Sequence, residues 1–306
     1  MSTTRKEQSS PTVTVEPGPL FGVARERRSE WARAWRRFSR YRPALVGTAF
    51  LILLAVIAIL PQLFAPYAPN LAIPELLGAP PSWSHPLGFD EIGRDELSRV
   101  IYGTRVALVV ALLATALAVT IGVLVGATAG YFGGWIDSVL SRIVDTIMAF
   151  PTLAFLIALV AVLGPSLKTT IVVIGATVWA SYARVARGDV LSLREREFVI
   201  AARAVGATDR RIIARHIVPN ILGPIIVLAT LAVGGVIILE AALSFLGLGV
   251  QPPTSDWGSM LASARAYLQT YPHIAIAPGI MISLTVLAFN LIGDGLRDAL
   301  DPRQRD

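Results

Sequence analysis

The chain has no cysteine and only three histidines among its 306 residues. Without cysteine it forms no disulfide and no thiol-ligated metal site. It contains no GxxxxGK[ST] loop, so it does not bind ATP by that route. HExxH and GxSxG motifs are also missing, and the three histidines build no catalytic constellation. The carboxylates Asp90, Glu91, Asp95 and Glu96 lie near His85 but match no metal-ligand spacing. Charge is scarce as well: 16% of residues are charged, against about 25% in soluble domains. The apolar stretches lack the Asp, Glu or His relay of an ion-coupled carrier. A transporter of this composition would draw its energy from another subunit.

Apolar residues are abundant instead, at 54% of the chain with a mean hydropathy of +0.62. A helix needs about 20 such residues to cross a ~30 Å hydrocarbon core. Six spans are predicted, at about 44–62, 106–130, 144–165, 168–186, 217–241 and 274–294. An ionised group at mid-bilayer costs about 2.5–3.5 kcal/mol, and the apolar centres of these spans hold none. Lys168 and Arg184 flank the short fourth span and can snorkel from its ends. With the N-terminus inside, 22 lysines and arginines fall on the cytoplasmic side and 5 outside. Both termini are therefore expected in the cytoplasm. The excess of +6 reads as a topology signal rather than a nucleic-acid footprint.

Residues 1–42 form a tail, 43–300 the membrane unit and 301–306 a cytoplasmic end. Met1 to Gly22 is rich in Ser, Thr and Pro and is expected to be disordered. Further on, Trp31, Trp35 and Phe38 fall at helical spacing among Arg33, Arg36, Arg37 and Arg40. That pattern suits a helix lying on an anionic membrane, and equally a plain basic flank of the first span. A cleaved signal peptide is not expected, because the charged leader is too long.

Gly122, Gly126 and Gly130 recur every four residues in the second span. Such a stripe lets helix backbones approach closely, within the chain or against a second subunit. Outside, loop 63–105 carries Asp90, Arg94 and Asp95, and loop 247–273 carries Trp257. These residues suggest a structured cap that meets a partner or covers the pathway mouth, or else a solvated loop. Glu240, at the outer end of the fifth span, either lines the pathway or sits hydrated at the interface. Tyr131 to Asp137 reads as a tight inner turn, permitted by Gly133 and Gly134. Asp137, Arg142 and Asp145 are expected to satisfy one another or water there.

The inner loop 189–216 and the four residues after it stand apart. FVIAARAVGATDRRIIARHIVPN, from Phe198 to Asn220, reads as two short helices. Phe198, Ala201, Ala202 and Val205 make an apolar face at helical spacing. Gly206 permits a turn. Thr208 or Asp209 can cap the second helix. Ile212, Ile213 and His216 face one way, while Arg210, Arg211 and Arg215 are polar. Arg215 suits a helix C-terminus, and Pro219 suits the first turn of the next helix. The other reading is an ordinary basic loop.

That stretch resembles the cytoplasmic EAA loop of binding-protein-dependent ABC importer permeases. HPLGFDEIGRD, GYFGGWID, RIVDTIMAFP, LSLREREFV, EAALSFLGLGVQPP and FNLIGDGLRDALDPR are similar to the C-type permease of the dipeptide/oligopeptide/nickel branch. Together they cover the chain from about His85 to Arg303. Ala201, Ala202, Gly206 and Pro219 match the EAA pattern, whereas its Glu position is Ile200. The resemblance implies an all-α polytopic membrane protein with six transmembrane helices and the type I ABC importer permease fold. It implies an importer in a bacterial inner membrane, most simply for di- or oligopeptides, alternatively for nickel or another small solute. A second homologous permease, one or two ATP-binding cassette subunits and an extracytoplasmic solute-binding protein would complete it. ATP and Mg would bind those ATPase subunits and no cofactor this chain. ATPase coupling would fall to Phe198, Ala201, Ala202, Gly206, Ala207, Arg211, Ile212, Arg215, His216 and Pro219. A membrane scaffold or an intramembrane enzyme is the competing class, set against by the patterned helix pair and the missing catalytic residues.

Overall fold

The computed structural model describes Ala32 and residues 35–300. The expected tail disorder, and Trp31 and Arg33 of the amphipathic segment, lie outside these residues, as does the 301–306 end. Phe38 lies within them and packs with Ala44 and Ala299, while Trp35 faces outward.

Apart from short turns at Pro61–Phe64, Pro74–Leu76 and Arg265–Tyr267, the helices in chain order are α1 (Arg42–Ile59), α2 (Glu96–Phe132), α3 (Gly134–Ala149), α4 (Thr152–Leu163) and α5 (Leu167–Leu193). Then come α6 (Glu197–Ala204), α7 (Asp209–Ile212), a π-helical turn (Ile213–Ile217), α8 (Val218–Phe245), α9 (Trp257–Ala264) and α10 (His273–Leu300). Isolated bridges at Ala72–Arg94 and Phe89–Asp95 are the only β pairing among the described residues. Five helical runs among these residues are long and apolar enough to cross a membrane, and the α3–α4 pair makes a sixth if counted as one.

Three elements differ from the sequence expectation. The helix of the second span starts well before residue 106 and runs 37 residues, about 55 Å at 1.5 Å per residue. Asp95 starts it, its carboxylate accepting from the Ser98 amide at 2.8 Å and the Ser98 hydroxyl at 2.6 Å. The third span, expected as one segment over 144–165, is instead broken by 92° between α3 and α4. Pro151 causes this: its ring disfavours a helical residue before it, and Phe150 is extended at φ −83°, ψ 139°. Finally, the second helix of the 198–220 stretch is not separate. It passes through the π turn into α8 as one helical run from Asp209 to Phe245. Arg215 therefore sits inside a continuing helix rather than at a C-terminus.

α2 and α5 form the tightest pair, and the glycine stripe is the reason. A Cβ at Gly122 would lie 2.5 Å from Tyr182 Cβ. At Gly126 it would lie 2.4 Å from the Ala183 carbonyl oxygen, and at Gly130 2.9 Å from that of Arg187. The stripe thus faces a helix of the same chain. The central core gathers Leu54, Val110, Ala111, Leu156, Ile174, Ile237 and Phe289 from α1, α2, α4, α5, α8 and α10. Leu45, Val46, Ile52 and Leu53 of α1 point outward, as expected where lipid replaces water and exposed apolar groups cost nothing.

Candidate functional site

The bundle has two differently built ends. At one, α6 and α7 lie across the ends of α2 and α5. Val199, Ile212 and Ile217 are fully buried there, packed with Val123, Tyr131, Ala186 and Val190. The chain turns between α6 and α7 at Gly206, whose φ of +81° suits glycine and few other residues. No atom lies within 4 Å of where its Cβ would be, so backbone conformation rather than space selects glycine.

The apolar face read from the spacing on α6 is not the buried one. Phe198, Ala201 and Val205 are exposed and Ala202 is partly buried, while Val199 is the anchor. Five consecutive apolar residues, Phe198 to Ala202, left the helical phase open, and burial of Val199 sets it. Phe198 (42% exposed), Ile200 (55%) and Val205 (84%) are consequently left open, Phe198 and Ile200 on either side of the buried Val199. Arg203, Arg210, Arg211 and Arg215 are exposed as well. Of the other expected coupling residues, Ile212 is buried, Ala207 and His216 are partly buried, and Pro219 is exposed in the first turn of α8. Neither Thr208 nor Asp209 caps α7 through its side chain. Asp209 Oδ1 accepts instead from the Tyr131 hydroxyl at 2.6 Å. Arg203 Nη2 donates to the same hydroxyl at 3.3 Å, with its guanidinium 5.6 Å from the Tyr131 ring centroid.

Two further ties cross this end. Arg187 of α5 holds both carboxylate oxygens of Asp137 on α3, with Nη2 to Oδ2 at 2.7 Å. Arg184 reaches Asp145 at 2.6 Å. The acids therefore pair with α5, whereas Asp137, Arg142 and Asp145 were expected to satisfy one another or water. Neither the Tyr131 contacts nor these pairs were found from sequence, because each links residues 39 or more positions apart.

At the opposite end a folded cap covers the helix tops. Asp90 is buried and accepts from Arg94 Nε at 2.6 Å and from the amides of Ile92 and Arg94. Arg99 Nε approaches it at 3.3 Å. Asp95 is also bonded to His85 Nδ1 at 2.8 Å. Trp257 is fully buried, its indole donating to the Val100 carbonyl at 3.0 Å with its ring against Gly103. Glu240 is buried on α8, hydrogen-bonded by Ser244 and adjacent to Asp256. Asp90, Asp95, Trp257 and Glu240 thus hold the cap to α2 and α8, and in this structure line no open pathway or outer surface. Desolvation drives this, since a buried carboxylate or guanidinium must gather partners to leave water.

Residues 118–306 match the model of the binding-protein-dependent transport system inner membrane component. Residues 29–81 match that of the N-terminal TM domain of oligopeptide transport permease C. The chain is 46% identical over 277 residues to the glutathione transport system permease protein GsiD of Shigella flexneri, covering 90% of this chain and 91% of the relative. GsiD of Escherichia coli O6:K15:H31 is 45% identical over the same share. Among solved structures, a chain of the MetNI methionine ABC transporter in inward-facing conformations is similar with a TM-score of 0.54 at 18% identity. The match covers 66% of this chain and 96% of that one, and carries the type I ABC permease fold.

Proposed function

The chain belongs to the family of binding-protein-dependent transport system inner membrane components and is an ABC importer permease, and on that premise we propose that it passes small peptides of the glutathione class. The observation that carries the proposal is its likeness to glutathione permeases along nine-tenths of both chains. ATP hydrolysis belongs to separate subunits in this family. The coupling element is α6 with α7 and the π turn. We take exposed Phe198 and Val205, with the exposed arginines near them, as the knob that would seat in an acidic-rimmed groove of an ATPase. The 22-to-5 distribution of basic residues supports a cytoplasmic position for it.

Movement follows from the anchors. Val199, Ile212 and Ile217 bind the coupling helices to the bundle. When paired ATPases close on ATP, the knob moves and carries α8 with it through the unbroken run from Asp209. The bundle, shared with a second permease, then exchanges an inward-open for an outward-open state that receives peptide from the binding protein. Such an exchange requires that the ATPase bind the two states differently.

The test is a reconstituted complex of this chain with its second permease, ATPase and binding protein. ATP-dependent uptake of labelled glutathione, exceeding that of nickel ion, is the expected result. Uptake of nickel with no uptake of glutathione or a dipeptide would overturn the substrate reading. The absence of cysteine makes single-cysteine reporters clean. Val205→Cys should cross-link to the ATPase and stay unlabelled by impermeant reagents in intact cells, whereas Trp83→Cys should label.

A further inference from the structure

We infer that Tyr131 is a coupling residue: it clamps both ends of the Gly206 turn to the end of α2, so that movement of the ATPase-facing helices reaches α2 and α5 as well as α8. The inference rests on the reading of α6 and α7 as the ATPase-facing element.

One phenol oxygen meets two partners on opposite sides of the turn. It donates to Asp209 Oδ1 at 2.6 Å, at the start of α7, and accepts from Arg203 Nη2 at 3.3 Å, near the end of α6. Arg203 also lies against the ring face, where a cation is attracted. Tyr131 itself is buried in the last turn of α2 and packed among Val199, Ile212 and Ile217. Its ring therefore has a fixed seat, and its hydroxyl has a fixed direction. A second strut runs parallel: Arg194, just past α5, donates to the Gly130 carbonyl at 3.1 Å. Because the glycine stripe locks α2 to α5 by direct backbone contact, force delivered at Tyr131 moves that pair as one body. Without the clamp, the coupling helices would still be covalently tied to α8 through the π turn. Hydrolysis would then proceed with the α2–α5 half lagging behind. Charge-assisted hydrogen bonds are the stronger kind, and both bonds here have a charged partner.

The experiment compares the unsubstituted complex with Tyr131→Phe, Asp209→Ala and the double variant in proteoliposomes. ATP hydrolysis and peptide uptake are measured together. Tyr131→Phe keeps the buried ring and removes only the hydroxyl. The expected result is an unchanged ATPase-to-permease ratio and a melting temperature lower by at most several degrees, with peptide carried per ATP lower by about tenfold, within the usual range of coupling effects. Asp209→Ala should do the same, and the double variant should add nothing further, since both break one clamp. Undiminished uptake per ATP in Tyr131→Phe would overturn the inference, as would additive effects in the double variant. Loss of the ATPase from the Tyr131→Phe complex would also overturn it, making Tyr131 an assembly residue. Failure of Val205→Cys to cross-link in an otherwise unsubstituted complex would instead sink the underlying reading of α6, and the clamp with it.

Discussion

Replacing Gly126 with alanine adds one methyl group to the α2–α5 contact. That methyl would stand 2.4 Å from the Ala183 carbonyl oxygen, 2.8 Å from Ala186 Cβ and 3.0 Å from the Arg187 amide nitrogen. Two of the three obstacles are backbone, so no rotamer change relieves them. Ordinary contact starts near 3.4 Å, and the helices must therefore part by about 1 Å over this stretch. Overpacking of this kind costs about 1–3 kcal/mol. Gly188, on α5, is the control, because nothing lies within 4 Å of its added Cβ. There alanine should be neutral or gain up to ~1 kcal/mol of helix propensity. Thermal unfolding of the purified complex reads the difference, at roughly 2–4 °C of Tm per kcal/mol for chains of about this size. Gly126→Ala should melt several degrees below the parent, and Gly188→Ala at or above it. Equal melting of the two variants would refute the reading of the stripe as a backbone-contact surface.

Other expectations rest on single contacts. Gly206→Val should cost about 1–2 kcal/mol of backbone strain at φ +81°. It should leave membrane insertion intact while abolishing uptake, so wild-type uptake would remove the assignment of the turn. Trp257→Phe loses the hydrogen bond to Val100, worth about 0.5–1.5 kcal/mol, and should raise the rate of limited proteolysis in loop 247–256. A double-mutant cycle on Asp137 and Arg187 should give a coupling of about 1 kcal/mol, for the pair is bidentate and partly buried. The same cycle on the more exposed Asp145 and Arg184 should give a value near zero, and unfolding curves check both.

The class of fold was legible because composition and segment length in a bilayer leave few alternatives. The bundle's crossings follow from apolar runs alone. Breaks and ends were not so readable. Phe150 and Pro151 lie in MAFPTLAF, where unbroken hydrophobicity hid the effect of proline on its neighbour. The early start of α2 depends on Asp95 finding Ser98, and the polar turn beyond it survives because the cap covers it. In α6 and α7, local spacing located the turn at Gly206 and grouped Phe198 with Ala201, Ala202 and Val205, but did not single out Val199, the residue that is buried. Partners of Asp137, Asp145 and Asp209 could not be read from their neighbours in sequence. The groups that hold them come from α5 or α2 and meet them only after the bundle has assembled.

α2 touches the Trp257 cap near its first turns and the Asp209 contact in its last. An α-helix of that length behaves as a stiff strut whose pitch scarcely yields along its axis. Whatever tilts one tip must swing the other, without delay and in the opposite sense about any pivot between them. The cap contact and the Asp209 contact are thereby the two linked ends of one lever.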